Sequence, residues 1–422
     1  MRYVFVALAL SAVLIAVPEA SIGQEKDSQT WTRFHGPNGT GLIESAQLPI
    51  EWTAKDYTWR VKLAGSGSSS PVVWKDKIFI NSCDKSTAEF RVQCLSMKDG
   101  SEVWQQKFGS EAHRQHSRNS FASSTPAVDE HHVYVAYANP DHTYLLALNH
   151  EGKLIWKRDF GRWVSAHGFG MSPMVYKDKV IFVNSQQAQR LRRGVKPGES
   201  RIMAVDRMTG KDSWSTKLTT TTACYALPCV LSREGEKDQL IGCNTGEGFY
   251  SIDPDSGKLN WSQKAFRLRT VASTLLADGL LIGSCGSGGG GNTIFAAKPN
   301  RKGAETVYSI ARNANYVPTP VAVNGLLFTF SDRGIACCFE LKTGKLKWRE
   351  RVSAGFSGSA VANRSHVYCI DEMGVCHVLK ASDKFEHVSK NELGEASRAT
   401  PAIIGNQLLL RTNEHLICIG KN

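Results

Sequence analysis

A phrase that returns along the chain constrains it more than any other feature. Its clearest copy is Ala204-Val205-Asp206-Arg207-Met208-Thr209-Gly210-Lys211-Asp212-Ser213-Trp214. It recurs over 251–261, with Asp253, Gly257 and Trp261 in matching places, and over 338–348, with Gly344 and Trp348. Weaker copies end at Trp104 and Trp156, each with a glycine (Gly100, Gly152) four residues before the Trp. A period of about forty to fifty residues, built from short strands, predicts an all-β propeller.

The stretch from 317 to 349 shows one repeat in full. Residues 317–323 read as the innermost strand, and Asn324-Gly325 as a hairpin turn, since both residue types tolerate positive φ. Residues 326–330 and 334–340 read as the second and third strands. After the Lys342-Thr343-Gly344 turn, 345–349 reads as the outer strand. Alternation puts Leu346 and Trp348 on one face and the lysines on the other. A Trp at that place has the area to fill the wedge between two blades. Inner-strand starts fall at Pro71, Pro126, Pro173, Pro228, Thr274, Pro320, Ser359 and Pro401. Proline is tolerated at the first residue of a strand. The eighth copy stops after its third strand, so its outer strand is expected from residues 56–63, closing the ring. The reading is eight four-stranded antiparallel blades, with seven as the alternative. Tyr308 and Val388 stand where blades 5 and 7 should carry Trp.

The chain divides into an expected signal peptide (1–23), a leader (24–55) and the propeller (56–422). Arg2, the apolar run from Val4 to Val17 and the small residues Ser21-Ile22-Gly23 carry the first assignment. The run is too short for an ordinary membrane span, and no lipobox cysteine follows it. A periplasmic or secreted location is therefore expected. No C-x-x-C pair and no Cys/His set of zinc spacing occurs among the eleven cysteines. Cys83/Cys94 and Cys369/Cys376 are spaced so that each pair could face across a hairpin; most cysteines read as small apolar strand residues. A net charge of +12 without a long basic run gives no sign of nucleic-acid binding and favours an anionic partner.

In a propeller the loops from one blade's outer strand to the next blade's inner strand converge on one mouth of the channel. Arg118, Arg162, Arg269, Arg312 and Arg398 each come from a different one of these segments, whose only acids are Glu111 and Glu395. Guanidiniums without carboxylates would bind an anion, so Arg118, Asn119, Arg162, His167, Arg269, Arg312 and Arg398 form the candidate anion- or partner-binding mouth. Trp163 and Phe169 are candidates for an exposed carbohydrate-binding face. His113-x-x-His116 lacks a third ligand of convincing spacing, and the glycines of 286–291 are not followed by the Lys-Ser/Thr and helix of a phosphate cradle. No catalytic residue and no metal site is assigned.

The Ala-x-Asp-x-x-Thr-Gly-x-x-x-Trp phrase at 204–214 resembles the repeat of pyrroloquinoline-quinone (PQQ) type propellers over about residues 57–421. One branch of that superfamily comprises quinoprotein dehydrogenases holding PQQ and calcium. The other comprises cofactor-free propellers similar to the outer membrane protein assembly factor BamB, which bind protein partners. The leader Trp31-Thr32-Arg33-Phe34-His35-Gly36-Pro37-Asn38-Gly39-Thr40-Gly41 looks like that of PQQ-repeat envelope proteins of planctomycete-type bacteria. Adjacent Cys337-Cys338 resemble the dehydrogenase branch's vicinal disulfide, although they fall in a strand. The mouth segments offer too few acids for calcium, which takes several oxygen ligands, or for a general base. The resemblance therefore implies a monomeric, non-catalytic scaffold without a cofactor, binding an acidic protein partner. A PQQ- and calcium-dependent alcohol or sugar dehydrogenase, and a sensor or carbohydrate-binding propeller, are the alternatives.

Overall fold

Seven consecutive four-stranded antiparallel blades are made by residues 72–108, 127–159, 174–217, 229–263, 275–310, 321–351 and 361–392 of the computed structural model, which describes residues 29–421. The eighth is made by 402–419 and completed by Tyr57–Lys62, paired antiparallel with His415–Ile419. The ring thus has eight blades and closes by hydrogen-bonding its two ends into one sheet. The expected signal peptide lies outside the described residues. Each proline that marks an inner-strand start directly precedes its strand; the seventh strand, Val361–Ala362, begins two residues after Ser359.

The recurring phrase is a lock between neighbouring blades. In the outer strands of blades 8, 1, 2, 3, 4 and 6, the Trp pairs with a small third-strand residue: Trp59 with Cys418, Trp104 with Cys94, Trp156 with Ala147, Trp214 with Ala204, Trp261 with Ser251, Trp348 with Cys338. The indole then reaches the next blade's turn. Trp214 Nε1 donates to Pro254 O at 2.9 Å, and a Cβ on Gly257 would stand 2.6 Å from the Trp214 ring. Gly100, Gly152 and Gly210 meet Trp59, Trp104 and Trp156 in the same way, at 2.7 Å each. The glycine therefore has two duties: it takes positive φ (74° at Gly257) and it leaves room for the neighbour's indole. Asp206 and Asp253 cap the same turns by accepting backbone N–H groups.

The odd seams follow the same logic. Tyr308 pairs with Ala296, donates its hydroxyl to Leu341 O at 2.7 Å and packs on Gly344, so it replaces Trp. Blade 5 has no such glycine against Trp261, whose indole donates instead to Gln239 of its own blade. In blade 7 the register places Ser389, not Val388, at the Trp position, because Val388 is the bulged residue. The leader brings Trp52 into the apolar cluster between blades 7 and 8, and Trp52 N donates to Asn391 Oδ1 at 2.9 Å. At the closure, fully buried Arg411 of blade 8 donates to the carbonyls of Ser69 and Asn81 beside blade 1, both at 2.7 Å.

All eleven cysteines are free and buried. Cys83 pairs with Phe90 and Cys94 with Phe79, while Cys369 pairs with His377 and Cys376 with Ile370, so neither expected pair faces across its hairpin. Cys337 and Cys338 sit on opposite faces of a strand, in different apolar clusters, away from the axis.

Over residues 30–52 the leader crosses the channel. Thr30–Trp31 pairs with Val72–Trp74 as a fifth strand on the axial edge of blade 1. Arg33 Nη2 donates to Pro228 O of blade 4 at 2.7 Å, and Asn38 exchanges two 2.8 Å hydrogen bonds with Val230. Gly41 O accepts from Ala362 of blade 7, and Ile43 N donates back to it. Inner-strand edges that would otherwise be open are thereby covered. His35 is wholly buried, its ring nitrogens 2.8 Å from Gly39 O and 2.7 Å from Ala360 O. Gly36 lies against the Trp31 ring and Gly41 against the His35 ring, both at positive φ, which accounts for the glycines of that stretch.

Candidate functional site

A cavity of about 470 Å³ lies on the axis. Its floor includes Phe34 of the leader, so the channel is closed on one side and opens at the mouth formed by the outer-to-inner loops and the second-to-third-strand hairpins.

One residue at the entry to each inner strand, directly before the proline in six of the eight blades, builds the wall. Ser70, Thr125, Ser172, Leu227, Ser273, Thr319, Ser359 and Thr400 occupy one position per blade, and all eight line the cavity. Each hydroxyl accepts the backbone N–H of the equivalent residue in the preceding blade. Ser70 N donates to Thr125 Oγ1 (3.0 Å), Thr125 N to Ser172 Oγ (2.9 Å) and Leu227 N to Ser273 Oγ (3.2 Å). Ser273 N, Thr319 N, Ser359 N and Thr400 N continue the girdle to Thr319, Ser359, Thr400 and Ser70, at 2.9–3.2 Å. Leu227 is the single break. The seven hydroxyls donate to no protein acceptor among the described residues, so their protons are available to the cavity. The Ser/Thr-Pro dipeptides at 70, 125, 172, 319 and 400 carry this signal in the sequence, although the proline is the conspicuous half of each and the hydroxyl the functional one.

Five of the seven mouth candidates come together. Arg118, Asn119, His167, Arg269 and Arg398 line the cavity. Arg162 does not: it is exposed and donates to Lys196 O and Pro197 O in the blade 3 hairpin. Arg312 is also exposed and outside the lining. The mouth is not free of acids either. Asp332 lines the cavity, and Glu372 lies 3.9 Å from Arg118 and 3.8 Å from Arg398, accepting from Ser357 at 2.6 Å. Both come from second-to-third-strand hairpins, which lie outside the loops expected to form the mouth. Glu395 turns away to Thr412 and His415. Trp163 and Phe169 are each 4% exposed and pack edge to face, so they offer no carbohydrate platform.

On the other side of the pocket the lining is apolar, from Phe34, Tyr225, Leu227, Val271, Tyr316 and Val317. Asn119 Nδ2 donates to His167 O at 2.8 Å, holding the two mouth loops together. Burial, then the charge of Arg269, then His116, push His167 down to about 4, so it is neutral near pH 7. Burial pushes the Tyr225 hydroxyl up to about 12; it donates to Gly168 O at 2.9 Å. Arg269 Nε donates to Ala223 O at 2.7 Å, and no carboxylate among the described residues pairs with it. Ser287 and Gly288 of the glycine-rich hairpin also reach the cavity.

The sequence matches the family model described as outer membrane protein assembly factor BamB over residues 88–311 and 291–419. No curated protein sequence matches the chain. Among solved structures, a europium-containing methanol dehydrogenase superposes with a TM-score of 0.68 at 12% identity, covering 91% of this chain and 89% of that one. BamB from Moraxella catarrhalis superposes with a TM-score of 0.59 at 15% identity, covering 86% and 97%. A quinohemoprotein alcohol dehydrogenase from Comamonas testosteroni gives 0.65 at 12% identity, covering 95% and 82%. At these identities the superpositions establish the shared fold.

Proposed function

Because this chain belongs to the family of PQQ-like repeat propellers that carries the description outer membrane protein assembly factor BamB, we propose that it is a non-catalytic binding scaffold of the cell envelope, with the channel mouth as its recognition face. One observation carries the reading. The axial cavity gathers hydroxyls, arginines and aromatic rings suited to binding, but among the described residues its lining has one carboxylate, Asp332, and the nearby Glu372 is already held by Ser357, Arg118 and Arg398. Calcium takes about six to eight oxygen ligands, and no group of three or more His, Cys, Asp or Glu among the described residues could hold a metal. Asp332 has the chemistry of a general base, but this donor set does not fit PQQ held with calcium.

The scaffold reading places the protein in the periplasm or outside the cell, as a monomer whose rigid ring presents loops to an envelope protein, an acidic one on the charge balance. Met373, 71% exposed, stands next to Glu372 at the mouth, whereas Leu346, 43% exposed, lies on the outer strand of blade 6. A photo-crosslinking residue at 373 should capture an envelope protein that the same residue at 346 does not. Equal capture from both positions would count against the mouth. Purified protein given PQQ and calcium should show neither quinone absorbance nor stoichiometric metal; finding both would establish the dehydrogenase alternative instead.

A further inference from the structure

Two charges in the pocket have no answer within the described residues. Arg269 lines the cavity, bonded only to a backbone carbonyl and, at 3.5 Å, to Gln187 Oε1. Asp332 lines the same cavity and forms no ion pair or side-chain hydrogen bond, and its Oδ1 is buried without a partner. The other charged side chains of the lining differ: Arg118 and Arg398 share Glu372. Removing a charge from water without a counter-charge is costly. A cation and an anion left unanswered in one small cavity fit a ligand that brings one of each.

The rest of the lining narrows the class. The girdle's seven hydroxyls have an acceptor site occupied by a backbone N–H and a proton to give, so they favour a group rich in acceptors, such as a carboxylate. Phe34, Tyr225, Leu227, Val271, Tyr316 and Val317 offer an apolar surface interrupting that girdle where Leu227 replaces a hydroxyl. The volume is that of a small-molecule site, about 300–1,000 Å³, and the leader bars passage of a longer chain through the ring. A simple anion would leave Asp332 unanswered, and a simple cation would leave Arg269.

We propose that the axial pocket binds a free α-amino acid with an aromatic or large apolar side chain. Its carboxylate meets Arg269 and the girdle hydroxyls, its ammonium meets Asp332, and its side chain lies against the apolar wall. No bond is made or broken. The inference rests on the reading of the channel as a binding site, and it gives that site a small-molecule ligand.

Calorimetric titration of the whole protein with four compounds tests it: L-phenylalanine, 3-phenylpropionate (no ammonium), 2-phenylethylamine (no carboxylate) and glycine (no ring). Phenylalanine should bind one to one, and each of the others more weakly by about tenfold or more, the worth of one charge-assisted contact or of the buried ring. Asp332→Asn should lower phenylalanine affinity about tenfold while leaving 3-phenylpropionate unchanged. Arg269→Gln should do the reverse, weakening phenylalanine and sparing 2-phenylethylamine. That split by ligand would not arise from a loss of folding, and unchanged unfolding midpoints confirm it. Absence of saturable phenylalanine binding overturns the proposal. So does 3-phenylpropionate binding as tightly as phenylalanine, or a loss in Asp332→Asn equal for both ligands. Crosslinking from residue 373 is scored independently, so an empty pocket with a captured partner would sink this inference and leave the scaffold standing.

Discussion

The rim of this propeller and its axis are built on opposite principles. At the rim one device recurs: an outer-strand indole sits across from a small third-strand residue and packs on the next blade's glycine, as Trp214 does on Gly257. At the axis, beside a hydroxyl girdle shared by seven blades, the loops contribute different groups to one wall, from the guanidinium of Arg269 to the carboxylate of Asp332. The girdle is the one axial element that repeats, and it breaks where the apolar wall begins. Repetition holds the ring together and departure from it makes the pocket.

Leader residues serve both regions, so truncation separates them and carries the largest expected effect. Removing residues 24–63 takes away the channel floor and the Tyr57–Lys62 strand that closes blade 8. The unpaired edge of His415–Ile419 should then drive aggregation, with no cooperative unfolding by circular dichroism. Removing only 24–55 keeps the closing strand and takes the floor with Trp31, His35 and Trp52. That protein should remain a folded monomer with a lower melting temperature. Two equally stable truncations would mean that rim and axis are not separable in this way.

The rim device itself is the next target. Trp214→Ala should cost about 3–5 kcal/mol in chemical denaturation. Gly257 and Gly325 have nearly the same φ, 74° and 70°, but a Cβ at 257 would lie 2.6 Å from Trp214, while one at 325 meets nothing within 4 Å. Gly325→Ala should therefore cost only left-handed strain, about 1–2 kcal/mol. Gly257→Ala should cost about 1–3 kcal/mol more for overpacking. With Trp214 already replaced by Ala, that excess should vanish. A purely additive double variant would mean the glycine serves its turn alone.

How much of the molecule is legible in its sequence follows the same division. Trp214, Gly210, Asp206 and the closing strand are legible because repetition multiplies a weak local signal. Ser389 escapes by one residue because the outer strand bulges just before the Trp position, and spacing alone does not reveal a bulge. At the axis, Arg118, Asn119, His167, Arg269 and Arg398 follow from the outer-to-inner loops. Asp332 and Glu372 do not, since hairpins between second and third strands reach the same mouth. The girdle is written as Ser or Thr before proline in five blades, but its meaning lies in hydrogen bonds between blades, which no single repeat contains. Arg162 and Arg312 show the converse: a guanidinium on the right loop can still point outward.

The smallest effect is acid sensitivity, and it compares one histidine from each region. Burial is the main cause that pushes both His167, at the axis, and His387, on blade 7's outer strand, down to about 4. Unfolded, each takes its proton near pH 6.5. Their contribution to stability is therefore fully present above pH 6.5 and is lost as pH falls toward 4, because the unfolded chain binds protons that the fold refuses. Urea midpoints should be level from pH 8 to about 6.5 and then decline. His167→Gln and His387→Gln should each flatten part of that decline. Arg269 adds to the depression of His167, whereas His377 and Lys390 add to that of His387. Arg269→Gln should accordingly flatten the axial share and leave the rim share intact; a change in both would show that the two regions are electrostatically one.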